Sequence, residues 1–288
     1  MPHFEQHMLS ENIQTKAVNY WVQFVNTIKS NKVIAFLYAI FFIGVAIKLV
    51  LWDRTPYVSI DSVYYLNIIN NWAGNEEEVF FDSLRGESNP PLYLFLVKEI
   101  TKLGISALYS ALLINIILGS LIPIIIYYLT VELFDSKRIA AGSSFIALLH
   151  PTLNRLSIEA QRDIGYLFFL SLFGVLFIQY IHNAKRTLLV ASSGCLLGAL
   201  FFRIESLELF PVIMILWGIQ LAKKRSKRTL VDFAVFLTCS ALWFFFFYSL
   251  TEMQVHDLNK FYNKYTGKFD DKSQENFDSV NSQPSGNE

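Results

Sequence analysis

Residues 107–131 read ALYSALLINIILGSLIPIIIYYLTV, a run of 25 positions without a charged side chain. A helix needs about 20 apolar residues to cross the roughly 30 Å hydrocarbon core of a bilayer, so this run is long enough to span it. Working outward, six more apolar blocks stand near 33–52, 139–153, 164–182, 188–203, 207–222 and 229–250. The blocks at 139–153 and 188–203 are short for that thickness, so they are expected to tilt or to be surrounded by protein rather than lipid. Composition agrees, because 53% of the residues are hydrophobic, more than the polar residues of a soluble domain could cover. The expected fold is all-α: a polytopic membrane protein of about seven transmembrane helices.

The placement of Lys and Arg orients these spans. The connections at 135–138, 183–187 and 223–228 are short and basic, the last reading KKRSKR. Seven spans place all three on one side, together with Lys16, Lys29 and Lys32, and that side is expected to be cytoplasmic. The opposite face receives the loop 53–106, the segment 151–163, a tight turn near 203–206 and the tail. The chain thus divides into a cytoplasmic segment 1–32, a transmembrane module 33–250 and a polar outer tail 251–288, disordered from about Asp270. Residues 1–32 are polar, and the first apolar block is too long and too distal for a signal peptide. Net charge is zero, which gives no bulk attraction to nucleic acid. Cys195 and Cys239 lie inside apolar blocks and read as buried small hydrophobes rather than a disulfide or metal site.

The outer loop has two helical segments of its own. Val63, Leu66 and Ile69 fit a short amphipathic helix between Asp61 and Trp72, capped by Ser59 or Asp61. The stretch NPPLYLFLVKEITKLG at 89–104 opens on Pro90-Pro91 and closes at Gly104. Its Lys98, Glu99 and Lys102 suit an interfacial helix better than a span.

Charged groups at membrane depth are costly and often functional. On the outer face these are Asp61, Glu159, Arg162, Asp163, Arg203, Glu205 and Glu208. Asp61 reads as a general base or metal ligand, or as a helix cap. Glu159 and Asp163, four apart, would share one face of a helix. Two such carboxylates suit a hard divalent ion or an acceptor hydroxyl, and both uses stay open. Alternatively, the two acids sit at a helix start, where the macrodipole favours them. Arg203 at its turn suits a lipid-linked phosphate held bidentately, or a snorkelling pair with Glu205 or Glu208. His150 has no second His nearby, so zinc is not expected.

The order of these pieces carries a resemblance. An acid followed by tyrosines (Asp61, Tyr64, Tyr65) precedes Pro90-Pro91-Leu92-Tyr93; then come a basic turn, a loop with Glu159 and Asp163, and the glycine-rich GCLLGALFFRIESLELFP. Over roughly residues 33–225 this series resembles the amino-terminal module of the GT-C glycosyltransferase superfamily. The nearest branch holds protein mannosyltransferases, aminoarabinose transferases and galacturonosyltransferases of lipid cores. The resemblance implies a seven-span module that moves a sugar from a polyprenyl-phosphate donor to a lipid, glycan or protein acceptor on the outer face of the plasma (inner) membrane. It implies catalytic roles for Asp61 and for Asp163 or Glu159, with Arg203, and Arg162 beside it, near the donor phosphate. No cofactor is required, and a divalent metal ion is left open. The chain departs from the family where Ser62 follows Asp61 in place of an acid, where Asn89 precedes the proline pair in place of His, and in ending its apolar blocks at the seventh. The alternative expectation is a non-catalytic member that binds a lipid-linked sugar or supports a partner enzyme.

Overall fold

A computed structural model describes residues 31–54, 58–71, 81–82, 87–88, 91–224 and 227–250. The amino-terminal segment, most of the loop between 72 and 90, and the tail from 251 lie outside the described residues, and with them the expectations placed there.

Helices stand at all seven expected places. They are α1 (Lys32–Arg54), α4 (Ala107–Phe134), α5 (Lys137–Leu149), α7 (Asp163–Asn183), α8 (Arg186–Phe202), α9 (Leu209–Lys224) and α10 (Lys227–Leu250). Between them lie α2 (Ile60–Asn71), α3 (Pro91–Thr101), α6 (Pro151–Ser157) and a 3-10 turn at Ile204–Glu208. A two-residue antiparallel pairing, Phe81–Asp82 with Glu87–Ser88, is the one departure from helix among the described elements. α1, α4, α7 and the stretch Arg228–Ser249 of α10 are each long and apolar enough to cross a membrane. Phe42, Ile146 and Phe245 are each more than 60% exposed, a surface suited to lipid rather than water. The chain is a helical integral membrane protein.

α8, with 17 residues, is about 26 Å long at 1.5 Å per residue. α5, with 13, is shorter still. The block expected to run to residue 153 breaks at His150, whose φ of −63° and ψ of 117° are extended. The cause is Pro151, which disfavours helical backbone in the residue before it. His150 then caps α6, its Nδ1 accepting from the Leu153 amide at 3.4 Å.

The described helices fall into two compact units, with α4 contributing to both. The first comprises the described residues of 31–54 and Asn115–Glu159. Leu37, Tyr127 and Ala140 form its apolar core, and Ser144 Oγ donates to Pro123 O at 2.8 Å, tying α5 to α4. Lys48 is 1% exposed within α1, its ammonium donating to Gly44 O at 3.4 Å.

The second unit comprises the described residues between Val58 and Ile114 and between Ala160 and Leu250. α8 is its centre, packed by α7, α10 and α3. Its buried Ser192, Ser193, Gly194, Gly198 and Ala199 let neighbours approach closely, as small residues do between membrane helices. Gly198 faces the ring of Phe169, and Gly194 faces Trp243. At one end Asp232 of α10, 2% exposed, accepts from Arg186 Nε at 2.7 Å and Tyr180 OH at 2.9 Å. That carboxylate fastens α7, α8 and α10 together. α3 ends at Thr101, and the chain turns out through Gly104, whose φ of 84° suits a residue lacking Cβ.

Candidate functional site

The site is built within the second unit, where the start of α2, the start of α7 and the end of α8 meet. Ser59 caps α2: its Oγ accepts from the Ser62 amide at 3.1 Å. The same oxygen accepts from Gln161 Nε2 at 2.7 Å, so one hydroxyl ties the segment before α7 to the first turn of α2. Asp61, in that turn, is thereby set beside Gln161, Arg162 and Asp163. The hydroxyl that caps α2 is that of Ser59, and Asp61 lines the cavity.

An aromatic chain fixes the other side. Tyr65 lies one turn beyond Asp61, with its ring 5.9 Å from that of Tyr93 on α3. Tyr93 is 0% exposed and lies 6.2 Å from Phe202, which in turn lies 5.5 Å from Phe169. Phe202 is the last residue of α8 and sits directly over Gly165 near the start of α7. Its neighbour Arg203 is therefore delivered to Asp163, the first residue of α7.

Asp61, Tyr65, Gln161, Arg162, Asp163 and Arg203 line one cavity of about 110 Å³. Arg203 Nη1 donates to Asp163 Oδ1, and Arg203 Nε lies 3.3 Å from Glu205 Oε2. The other Glu205 oxygen lies 3.8 Å from Arg162 Nη2. The Arg203 guanidinium carbon is 5.8 Å from the centre of the Tyr166 ring, within cation–π range. Burial works to lower the Arg203 pKa, but the carboxylates of Asp163 and Glu205 outweigh it and the net shift is upward. The guanidinium stays charged at any physiological pH. Chemically, the cavity combines carboxylates able to take a proton with two guanidinium groups suited to phosphate oxygens.

Of the residues singled out in the sequence, Asp61, Arg162, Asp163 and Arg203 are brought together. Glu159 differs. The helical face expected to align it with Asp163 does not form, because α6 ends at Ser157 and residues 158–162 turn before α7 begins. Glu159 belongs to the first unit, 3% exposed, with its Oε1 3.6 Å from Arg155 Nε. Its backbone carbonyl accepts from Asn115 Nδ2 at 2.5 Å. Among the described residues no group of three or more His, Cys, Asp or Glu side chains is placed to hold a metal ion. Gln161 lines the cavity without having been singled out, and Tyr65, which lines it too, had entered only as one of the tyrosines following Asp61 in the family series. Their signal was spacing, Tyr65 one turn after Asp61 and Gln161 two positions before Asp163.

Compared with known proteins, residues 88–250 match the family model described as dolichyl-phosphate-mannose-protein mannosyltransferase. The match covers more than half of the chain, including Arg162, Asp163, Arg203 and Glu205, and begins beyond Asp61. No curated protein and no solved structure matches the chain. The chain belongs to the dolichyl-phosphate-mannose-protein mannosyltransferase family, a family of glycosyltransferases.

Proposed function

We propose that this member of the dolichyl-phosphate-mannose-protein mannosyltransferase family transfers a sugar from a polyprenyl-phosphate carrier to an acceptor hydroxyl on the non-cytoplasmic face of the membrane. The observation that carries this reading is the convergence of Asp61, Asp163, Arg162 and Arg203 on one cavity in a family member. Asp61 takes the acceptor proton, the acceptor oxygen bonds to the anomeric carbon, and the bond from that carbon to the phosphate oxygen breaks. The carrier phosphate leaves with the electron pair, its charge received by Arg203 and Arg162. The sugar arrives already activated on its phosphate, so the site needs no nucleotide fold. The acceptor is a lipid, glycan or protein hydroxyl.

The test is transfer of labelled sugar from short-chain polyprenyl-phosphate donors by the full chain in vesicles. Transfer above protein-free vesicles is expected with at least one donor sugar. Its absence across mannose, glucose, galacturonate and aminoarabinose donors would favour a non-catalytic carrier-binding protein.

Sidedness has its own check. The basic connections place the α4–α5 turn in the cytoplasm and the α3–α4 turn outside. With Cys195 and Cys239 replaced by alanine, Leu103→Cys is expected to react with an impermeant maleimide added to intact cells. Lys137→Cys is expected to react only after permeabilisation. The opposite pattern would put the cavity on the wrong side for an external acceptor.

A further inference from the structure

We infer that Asp163 holds on Arg203 the place a donor phosphate takes, and that Glu205 is the positioning residue that keeps Arg203 and Arg162 as a two-pronged clamp through that exchange. The inference rests on reading the cavity as a donor site. Arg203 divides its contacts: Nη1 goes to Asp163, which lines the cavity, and Nε goes to Glu205, which does not. Glu205 divides its own, with Oε2 toward Arg203 and Oε1 toward Arg162, and Oε2 is fully buried. One carboxylate thus spaces two guanidinium groups from outside the cavity, while a second occupies the cavity side of Arg203.

Position supports the exchange. The cavity of about 110 Å³ offers room for roughly three or four waters, and Asp163 already takes the Arg203 Nη1 that faces it. A phosphate ester that binds Arg203 at Nη1 therefore displaces Asp163 from it. Arg203 keeps an anionic partner throughout, because phosphate oxygens replace the carboxylate as it leaves. The released Asp163 carboxylate then faces the acceptor side beside Asp61. Donor binding therefore precedes assembly of the acceptor site.

Equilibrium binding of farnesyl phosphate and of inorganic phosphate to the full chain in nanodiscs tests this. Removing a competitor should tighten binding, so Asp163→Asn is expected to bind farnesyl phosphate about tenfold more tightly than wild type, the scale of one charge-assisted contact. If Asp163 merely positioned Arg203, the same change would weaken binding. Glu205→Gln is expected to weaken binding about tenfold although it removes a negative charge near an anion, because the clamp loses its brace. Asp163→Ser and Glu205→Asp, too short to reach both arginines, should follow the same directions and serve if either amide variant fails to fold. Arg203→Ala should lose binding, and farnesyl phosphate should bind more tightly than inorganic phosphate. Unchanged or weaker binding in both Asp163 variants would overturn the exchange, and unchanged or tighter binding in both Glu205 variants would overturn the brace. Wild-type affinity in Arg203→Ala would instead overturn the donor-site reading itself, and equal affinity for inorganic phosphate would overturn a lipid-linked ligand.

Discussion

Asp61→Asn is expected to lower sugar transfer by about 10²–10⁴-fold, the usual contribution of a general base, while the protein remains folded in the membrane. The separation of chemistry from stability rests on Ser59. Because its hydroxyl already accepts from the Ser62 amide, the start of α2 keeps its cap when Asp61 changes. As an acid in the first turn of α2, Asp61 contributes about 0.3–1 kcal/mol against the helix dipole, and Asn is nearly isosteric. An amide cannot take a proton, so transfer is what suffers. Labelled-sugar transfer at matched expression, with thermal unfolding alongside, reads both quantities. Undiminished transfer in Asp61→Asn would remove it from the chemistry.

Why the sequence carried this far, and no further, is a matter of range. Hydrophobic length is a local property, and the bilayer turns it into helices, so α1, α4, α7 and α10 were legible from apolar runs alone. Capping was half legible. Ser59 and Asp61 both qualified by type, and only the bond from Gln161 to Ser59, spanning a hundred residues, shows why Ser59 is held there. Helix periodicity misled at Glu159, because a spacing of four has meaning only where a helix continues, and α6 ends before it. The grouping of Asp61, Asp163 and Arg203 came from the outer-face depth that the topology gives them and from the order of motifs in a known family, not from spacing. No local rule predicts that Tyr93, on an eleven-residue helix of the outer loop, packs against Phe202 and so steers Arg203. Nor does an apolar run reveal that Lys48 is wholly enclosed, since that depends on Gly44 and Gly119 letting α1 and α4 close around it.

Gly165 is expected to be the position where the smallest change most disturbs the site. A methyl group there would lie 1.9 Å from Cε1, 2.2 Å from Cδ1 and 2.6 Å from Cζ of Phe202. The ring has nowhere to retreat. Phe202 is 0% exposed and sits between Phe169 and Tyr93, so either it swings into them or α7 moves away from α8. Overpacking of this kind costs about 1–3 kcal/mol and occasionally more; contacts this short, against a ring edge rather than the tip of a flexible chain, place Gly165→Ala at or above the top of that range. Geometry adds a second loss. Asp163 is two residues before Gly165 and Arg203 is one after Phe202, so the displacement falls on the ion pair that lines the cavity, and transfer should fall by more than the loss of folded protein explains. Gly142 in α5 is the matched control. It is exposed and a methyl group there meets nothing within 4 Å, so Gly142→Ala should be neutral or stabilising by up to about 1 kcal/mol through helix propensity alone. Thermal unfolding of both variants in detergent, with transfer measured on the folded fraction, reads the difference. Equal stability and activity in the two would mean that Phe202 does not wedge α8 against α7, and would leave the delivery of Arg203 to Asp163 without its cause.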